Sequence, residues 1–476
     1  MKMPILELAY LLSAVLFVLG LKRMQTPPTA RSGNALAALG MFTAVVATLF
    51  IHDILSWPLL LAGVVIGGAI GALLAFRTPM TSMPELVAVF NGFGGAASAF
   101  VAGAELAQYL QGSRLVDTSA YSPTLALVIG LSLLIGMVTF TGSLVAFGKL
   151  QGILSGNPIT FPGVQFVTAL LLLGGIAGVA FLLIGAPDLA TDPDITLYAG
   201  IGIAVAAALM GLFLVFPIGG ADMPVVVALL NSYSGLAAAA TGFVLDNTAL
   251  IVSGTLVGAA GFMLTMQMCD AMNRSLANVM LGGFGGDGAT SDALDIPEGK
   301  SVQETSPQDL AILATYAERV IIVPGYGLAV AQAQHAVREL ADRLQAKGVD
   351  VRYAIHPVAG RMPGHMNVLL AEADVPYEQL YEMDEINSAF SSTDVALVIG
   401  ANDVVNPAAR EASGSPIAGM PILNVDEAET VVVIKRSLSP GYSGVPNSLF
   451  YQDNTRMLFA DAKEAVGETT EAVKGL

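Results

Sequence analysis

The sequence predicts a membrane bundle of about nine transmembrane α-helices followed by a cytoplasmic, Rossmann-like α/β domain with a doubly wound parallel sheet. Hydrophobic residues make up 54% of the 476 positions and charged residues only 12%, which is too apolar for a wholly soluble protein. Residues 1–272 hold only 7 of the 21 Lys and Arg and 11 of the 38 Asp and Glu. The remaining, more polar part alternates short apolar strands with helices, which favours a parallel sheet.

The composition also excludes several classes of protein. The net charge of −17 argues against a nucleic-acid partner, because phosphate backbones bind basic surfaces. The single cysteine, Cys269, excludes a disulfide framework and cysteine-ligated clusters. Four histidines leave little to hold haem, and no metal site is predicted.

Nine apolar runs are long enough to cross a hydrocarbon core of about 30 Å. They lie at residues 5–21, 34–51, 57–76, 84–110, 124–148, 164–186, 195–216, 223–245 and 249–272. The first run resembles a signal peptide, but eight others follow and no small-residue cleavage site stands out, so we expect it to be retained.

The connecting loops predict the orientation. The basic residues on the side of the C-terminal domain are Lys22, Arg23, Arg31, Arg77, Lys149 and Arg274, whereas the other side is mostly acidic. By the positive-inside rule, the C-terminal domain is cytoplasmic and the N-terminus lies outside.

The fourth and eighth spans repeat each other at an offset of 140 residues, MPELVAVFNGFGGAASA at 83–99 and MPVVVALLNSYSGLAAA at 223–239. Both spans enter from the cytoplasmic side by parity, so a parallel repeat is expected. Convergent packing of small residues between helices is the alternative explanation.

The repeat places Asn91 and Asn231 at matching depth, roughly 10 Å into their helices at about 1.5 Å per residue. Ser143, near the cytoplasmic end of the oppositely directed fifth span, is expected at a similar depth. These three polar groups could order a water wire for protons. They could equally hold helices together by hydrogen bonds, and spacing alone does not separate the two roles.

Carboxyl groups in a membrane segment often mark a functional site. Glu85 and Asp222 flank the cytoplasmic starts of the two repeated helices, which makes them candidates for a proton path. The alternative is that they only complement the positive end of the helix dipole. Glu105, deeper in the fourth span, is a weaker candidate because it could lie near the outer interface.

The soluble half divides into a Gly-, Ser- and acid-rich segment at 273–308, predicted to be a flexible linker, and a domain at 309–476. Within that domain we expect helices at 307–317, 328–347, 366–373 and 455–466, and strands at 319–323, 350–355, 394–399 and 430–435. Ligands of such sheets bind at the carboxyl ends of the strands.

The first strand runs into the glycine turn PGYGLAVA, an imperfect dinucleotide-binding fingerprint. Gly325 and Gly327 are in place, but Val330 occupies the third small position, and such a motif is weak by itself. The second strand ends at His356 without the acid that binds a ribose 2′-hydroxyl, which disfavours NAD and leaves room for a 2′-phosphate.

A cationic partner for this phosphate lies at the end of another strand, in KRSLSPGYSG. Lys435, Arg436 and Ser437 combine two cations with a hydroxyl, which suits a phosphate dianion. A basic strand end on the surface is the alternative. No Ser/His/Asp set or other nucleophile is visible, as expected where a cofactor carries out hydride transfer.

Over nearly its whole length the chain resembles the β subunit of proton-translocating NAD(P) transhydrogenases. The resemblance is carried by segments 138–150, 219–235, 324–334, 356–373, 382–390, 398–409, 415–423 and 435–444. It implies that this subunit binds NADP(H) and exchanges hydride directly with NAD(H) on an α subunit, coupled to proton translocation. It also implies a multi-pass inner-membrane protein in contact with lipid, and a β homodimer within a larger complex.

The resemblance further implies specific site residues. The expected NADP(H) contacts are Gly325, Tyr326, Gly327, Val358, Ala359, Gly360, Arg361, Met362, Pro363, Gly400, Ala401, Asn402, Asp403, Val404, Gly419, Met420, Lys435, Arg436, Ser437, Leu438, Ser439, Pro440, Gly441, Tyr442, Asp461, Ala462 and Lys463. Residues 439–442 are similar to a lid over the nucleotide. For the proton path the resemblance implies Asn91, Ser143, Asp222 and Asn231, and we add Glu85 from its position at the start of the fourth span.

One position departs from the family pattern. Some members carry a titratable His where this chain has Asn91, and an amide cannot take up a proton at physiological pH. A proton acceptor at that depth would have to come from elsewhere, such as an α-subunit helix.

The alternative function for the whole chain, from a different class, is an ion or solute transporter gated by a nucleotide-sensing domain.

Overall fold

The membrane half is a bundle of long apolar helices. The computed structural model describes residues 2–49, 57–113, 122–184, 193–280, 301–362, 364–411, 417–441 and 443–476. In these residues nine helices are long and apolar enough to span a membrane, which confirms the predicted bundle. They are α1 (Lys2–Met24), α2 (Pro27–Leu49), α3 (Trp57–Arg77), α4 (Met83–Ser113), α5 (Pro123–Leu150), α6 (Val164–Ile184), α7 (Pro193–Val215), α8 (Met223–Val244) and α9 (Thr248–Ala271).

Local sequence signals explain where several of these helices begin. Ser122 precedes α5, and its hydroxyl accepts a hydrogen bond from the Leu125 amide at 3.1 Å, while Pro123 occupies a position where no amide hydrogen is needed. Asn247 caps α9 in the same way, accepting from the Leu250 amide at 3.0 Å.

Helices α4, α5 and α8 pack together at the centre of the bundle. Small residues allow close approach, since a Cβ on Gly95 of α4 would lie 2.6 Å from the Gly136 carbonyl of α5. The close pairs are Gly92 with Ser143 and Ser98 with Ser132 between α4 and α5, and Leu230 with Gly142 and Thr241 with Ser132 between α5 and α8. Both α4 and α8 therefore run antiparallel to α5 and parallel to each other.

The two repeated helices also begin alike. A three-residue 3₁₀ turn, Met80–Ser82 or Gly220–Asp222, leads directly into the Met-Pro start of α4 or α8. This shared entry and the parallel direction agree with the repeat expected from the sequence.

The soluble half is built on a seven-stranded parallel sheet in the order β1-β7-β6-β5-β2-β3-β4. The strands are β1 (Gln303–Glu304), β2 (Arg319–Pro324), β3 (Asp350–Ile355), β4 (Leu380–Glu382), β5 (Val395–Ile399), β6 (Thr430–Ile434) and β7 (Thr455–Leu458). The helices of this half are α10 (Leu276–Met280), α11 (Pro307–Thr315), α12 (Tyr326–Val330), α13 (Gln334–Ala346), α14 (His365–Glu372), α15 (Met383–Ile386), α16 (Ala408–Glu411) and α17 (Ala462–Gly475).

Strands β2 and β5 lie side by side at the middle of the sheet, where the strand order reverses. Apolar residues cover both faces of the sheet, with α11, α13, α14 and α17 contributing to one core and the 3₁₀ turns near Phe390 and Phe450 to the other. Such a reversal leaves a crevice at the carboxyl ends of the two strands, and this is where ligands of open α/β sheets bind.

Two predicted helices differ in the structure. Residues 328–347 do not form one helix, because the chain breaks at Gln332, which has a positive φ of 51°, between α12 and α13. Residues 455–466 are not one helix either, since Thr455–Leu458 pairs with β6 as strand β7 and the helix begins at Ala462. Strands β1 and β4 were not predicted. Both α10 and β1 lie within the predicted linker, and residues 281–300 fall outside the described residues.

Candidate functional site

Two glycine loops lock together at the crevice between β2 and β5. The Gly325 amide donates to the Ile399 carbonyl and the Gly327 amide to the Gly400 carbonyl, each at 2.9 Å. A Cβ on Gly327 would lie 2.7 Å from the Gly400 Cα, and Gly400 itself has a positive φ of 67°. Only glycine fits here, because the backbones of the two loops pack directly against each other.

The segment after β6 folds over this crevice. Asp403 accepts hydrogen bonds from the Ser443 amide at 3.1 Å and the Ser443 hydroxyl at 2.7 Å. Lys435 donates to the Ser439 carbonyl, and its Nζ lies 5.3 Å from the centroid of the Phe450 ring. Burial lowers the pKa of Lys435, and the nearby Asp403 carboxylate opposes this effect. The loop is thereby tied to both strand ends.

Glycine loops and covering segment together enclose a cavity of about 450 Å³. This size lies in the ordinary range for small-molecule sites. Fifteen of the residues proposed from the sequence line it: Gly325, Tyr326, Gly327, Val358, Ala359, Gly360, Gly400, Ala401, Asn402, Asp403, Val404, Met420, Lys435, Pro440 and Gly441. Five segments far apart in sequence are therefore brought together, and four of them follow the carboxyl ends of strands, as the carboxyl-end rule predicts.

Other proposed residues lie outside the cavity lining. They are Arg361, Met362, Gly419, Arg436, Ser437, Leu438, Ser439, Asp461, Ala462 and Lys463. Arg436 and Ser437 are exposed, and Asp461 caps α17 by accepting from the Lys463 amide at 3.0 Å. Pro363 and Tyr442 fall outside the described residues.

Sequence reasoning missed one wall of the cavity, which comes from the membrane half. Pro224 at the start of α8, Met268 in α9, and Met272 and Arg274 just after α9 all line it. The sequence marks Arg274 only as a basic residue, and its position directly after the last span is the one available signal. The crevice of the soluble domain thus opens onto the start of α8 and the end of α9.

Arg361 joins the two halves of the molecule. Its guanidinium donates to the Leu150 carbonyl at the end of α5 at 3.1 Å and lies 3.6 Å from the Glu85 carboxylate of α4. The same group stacks 4.4 Å from the centroid of the Tyr326 ring. A second contact between the halves is the hydrogen bond from the Asn273 side chain to the Ala418 carbonyl at 3.0 Å.

The polar residues proposed for the membrane path meet where α4, α5 and α8 pack. The Asn91 amide donates to the Val227 carbonyl of α8 at 3.4 Å. Ser143 is fully buried next to Gly92, and its hydroxyl has no hydrogen-bond partner among the described residues. Asn231 lies half-buried in α8. Glu85 is 5% exposed, with one carboxylate oxygen lacking a hydrogen bond within the described structure.

Asp222 lies just ahead of α8 and is 4% exposed. Burial raises the pKa of this carboxyl group, and the Arg274 guanidinium, 3.1 Å away, opposes the rise. Removing the arginine would therefore favour the protonated acid. The pair lies at the boundary between the membrane helices and the cavity, because Arg274 also lines the latter.

Two buried histidines hold the loop between β3 and α14. His356 Nδ1 accepts from the Val358 amide at 3.2 Å, and its Nε2 lies 2.8 Å from the Pro421 carbonyl, which assigns the proton to Nε2. His365 Nδ1 accepts from the Arg361 amide at 3.0 Å. Burial lowers the pKa of both to about 4, with Arg361 adding to the effect at His365. Both imidazoles are therefore neutral at physiological pH.

The residues present fit a dinucleotide phosphate. The two glycine loops, here called the glycine cradle, line the cavity with backbone that carries no side chain, and Lys435 supplies a cation inside it.

Comparison with known proteins agrees with this arrangement. The sequence profile of the family described as "NAD(P) transhydrogenase beta subunit" matches residues 6–472. The protein named "NAD(P) transhydrogenase subunit beta" from Rhodospirillum rubrum is 48% identical over 466 residues, covering 98% of this chain and 98% of that protein. A protein of the same name from one strain of that species matches with the same identity and coverage. The chain therefore belongs to the NAD(P) transhydrogenase β subunit family, whose members are proton-translocating oxidoreductases.

Proposed function

We propose that this chain binds NADP(H) in the cavity between β2 and β5 and exchanges hydride with NAD(H) held by an α subunit, coupled to proton translocation through α4, α5 and α8. The single observation that carries the proposal is the shared cavity. Its glycine cradle and Lys435 suit a nucleotide phosphate, while Pro224, Met268, Met272 and Arg274 make its other wall from the membrane helices. One ligand can thus touch both halves of the molecule.

Each part of the cavity has a role in this proposal. The pyrophosphate lies against the glycine loops at Gly325, Gly327 and Gly400, where no side chain intervenes, and Lys435 provides the charge for the 2′-phosphate. The hydrogen bonds from Ser443 to Asp403 keep the covering loop closed and exclude water. When bound, NADP(H) supplies or accepts the hydride, so the protein needs only to position and shield it.

The proton path in this proposal runs through Asn91, Ser143 and Asn231 to the cytoplasmic mouths at Glu85 and Asp222. Asn91 and Asn231 can order water but cannot take up a proton, so the titrating groups are the two carboxyl groups. Buried hydroxyl and carboxylate atoms without protein hydrogen bonds, on Ser143 and Glu85, support this path because such atoms commonly bond to water.

The finer assignments of location and assembly are also part of the proposal. The chain is a multi-pass protein of the inner membrane, with residues 1–272 as the translocating domain, 273–308 as the linker and 309–476 as the cytoplasmic NADP(H) domain. The N-terminus lies outside. The partner is an α subunit that holds NAD(H), with two copies of this chain in the whole complex.

A vesicle assay tests the proposed function. The chain and its α partner are reconstituted in proteoliposomes, and reduction of an NAD⁺ analogue by NADPH is followed together with a pH-sensitive dye. We expect proton movement with turnover and faster turnover once an uncoupler removes the opposing gradient. Turnover without proton movement would contradict the coupling. Nucleotide-dependent solute uptake without hydride transfer would instead favour the gated transporter.

A further inference from the structure

Arg274 occupies a position between two partners. It directly follows the membrane half, three residues after the end of α9, and it lines the same cavity as Lys435 of the NADP(H) domain. Its Nη1 also lies 3.1 Å from Asp222 Oδ1. This arginine is therefore in reach of both the buried carboxylate and any anion in the cavity.

The backbone around Arg274 is held in place from both sides. Its amide donates to the Cys269 carbonyl at 2.9 Å, closing the end of α9. Asn273, with a positive φ of 50°, directs the chain through the turn and donates to Ala418 of the soluble domain at 3.0 Å. The backbone at Arg274 is thus fixed at the boundary, while 25% of its side chain is exposed.

A guanidinium can bind two anions at once, but each of the two interactions is then weaker. It presents five N–H donors in a planar fork, so one edge can pair with a carboxylate while another faces a phosphate. An anion that draws the fork toward the cavity weakens the pair with Asp222. Because Asp222 is 4% exposed, water replaces little of the lost interaction.

We propose that Arg274 is a second phosphate anchor for the nucleotide and that its sharing with Asp222 couples nucleotide affinity to the charge on Asp222. This inference rests on the proposed function. Such coupling is reciprocal, so a bound phosphate changes the proton affinity of Asp222 by the same factor by which the Asp222 proton changes the nucleotide affinity. The pair would then transmit nucleotide binding to the proton mouth without a long chain of intermediates.

Other charged groups near the Arg274–Asp222 pair include a suitable control. Lys435 and Asp403 line the cavity from the soluble domain, and Asp270 lies exposed near the end of α9, adjacent to Cys269. Asp270 carries the same charge as Asp222 on the same stretch of chain but does not line the cavity. It therefore provides a matched control for a simple effect of net charge.

A double-mutant cycle on the full chain in lipid nanodiscs tests the inference, with NADPH as the probe and its fluorescence as the readout. Asp222→Asn should tighten NADPH binding about tenfold, since typical coupling factors run from about 5 to 150. Arg274→Gln should weaken it. In the Arg274→Gln background, the added Asp222→Asn change should have little further effect, so the cycle is not additive.

Arg274→Lys separates anchoring from a purely structural role. It keeps the charge but loses the fork, so binding should be weaker than in wild type and the benefit of Asp222→Asn should shrink. It also replaces Arg274→Gln if that variant does not assemble. Asp270→Asn should leave the dissociation constant unchanged.

The outcomes distinguish this inference from the proposed function. If the wild-type chain does not bind NADPH, the proposed function itself is wrong. If it binds NADPH but the cycle is additive, or Asp270→Asn tightens binding as much as Asp222→Asn, then Arg274 is not a shared anchor and the inference is overturned.

Discussion

Lys435 and Arg436 are adjacent in the chain, but the structure gives them different surroundings. Lys435 lines the cavity, whereas Arg436 is exposed and lies outside the lining. From sequence alone the two cations were equivalent candidates for the 2′-phosphate. Which of two neighbouring side chains faces inward at the end of a strand depends on the local backbone, and composition carries no signal for it.

Alanine substitutions of Lys435 and of Arg436 should therefore affect NADPH binding differently. Lys435→Ala should raise the dissociation constant for NADPH by about 10- to 100-fold, because hydrogen bonds to charged groups contribute about 1.5–3 kcal/mol. Arg436→Ala should change it by less than about threefold, as expected for an exposed charge. Titration of each variant with NADPH measures this. An equal loss of NADPH affinity in both variants would mean that Lys435 and Arg436 contribute alike to binding the 2′-phosphate.

Ser143 and Ser132 offer a matched pair on α5. Both are fully buried, but Ser132 bonds to the Ser98 carbonyl at 3.2 Å and to the Thr241 hydroxyl at 2.8 Å, whereas the Ser143 hydroxyl has no partner in the described structure. A buried polar atom without a bond does not stabilise the fold. The described contacts therefore give the Ser143 hydroxyl no structural role, which supports its proposed place in the proton path.

Ser143→Ala should slow proton translocation without lowering thermal stability. Ser132→Ala should do the reverse, losing about 1 kcal/mol of stability while leaving translocation intact. Dye quenching in vesicles and thermal unfolding measure the two effects. Loss of stability in Ser143→Ala with unchanged pumping would make Ser143 a packing residue.

Among the elements, the glycine loops after β2 and β5 show how much of the site follows from local sequence. The glycine motif predicted a loop at the end of β2, and the strand order places that loop and the one after β5 at the switch point. The missing third small residue is explained too, since Val330 ends a five-residue helix and is 45% exposed. A side chain there does not interfere with packing.

Gly327 should tolerate no side chain. In Gly327→Ala the new Cβ would lie 2.7 Å from the Gly400 Cα, and backbone cannot yield as a side chain does. We expect a loss of about 1–3 kcal/mol in stability of the soluble domain, the usual range for overpacking. Gly467→Ala is the control. A Cβ added at this position in α17 would have no described neighbouring atom within 4 Å, so alanine should be neutral or stabilising. Calorimetry of the full chain compares the two, and equal effects would contradict the close approach.

The last two elements show where local patterns fail. Strand β7 has only four residues, and it is recognised by its ladder with β6 rather than by its own sequence. Helix α17 contains Gly467 and two threonines, which weaken its intrinsic helix signal. Packing against α11 and α13 stabilises it instead. Tertiary contacts decide such short or weak segments, so sequence alone misplaced the boundary.

For the whole molecule, the membrane half was predicted better than the way the two halves meet. Span length and hydropathy suffice to find helices that must satisfy their own hydrogen bonds in lipid. The cavity wall made by Pro224, Met268, Met272 and Arg274 depends on docking between segments far apart in sequence, for which a single sequence gives no measure.

The buried histidines predict how the soluble domain responds to acid. The folded pKa of His356 and His365 is about 4, below the unfolded value of about 6.5, so the unfolded chain binds more protons as the pH falls. Stability present above about pH 6.5 should be lost progressively down to about pH 4, by up to about 1.4 kcal/mol per pH unit for each imidazole.

Calorimetric unfolding at pH values from about 7.5 to about 4, a range that covers the unfolded and folded pKa, measures this loss of stability. His365→Asn should flatten the slope, because an amide oxygen can still accept from the Arg361 amide but does not titrate in this range. His335→Gln is the matched control at an exposed position and should keep the wild-type slope. A slope unchanged by His365→Asn would show that other groups cause the acid sensitivity.

The two repeated helices carry one further consequence, which concerns symmetry. Each has a buried carboxylate at its start, and each carboxylate is paired with an arginine. The arginines have different origins: Arg274, directly after α9, faces Asp222, and Arg361 of the soluble domain faces Glu85. If the soluble domain moves away, Asp222 keeps its counter-ion and Glu85 loses it. The two carboxylates thus become inequivalent, because the soluble domain supplies the counter-ion of Glu85 and takes it away when it moves.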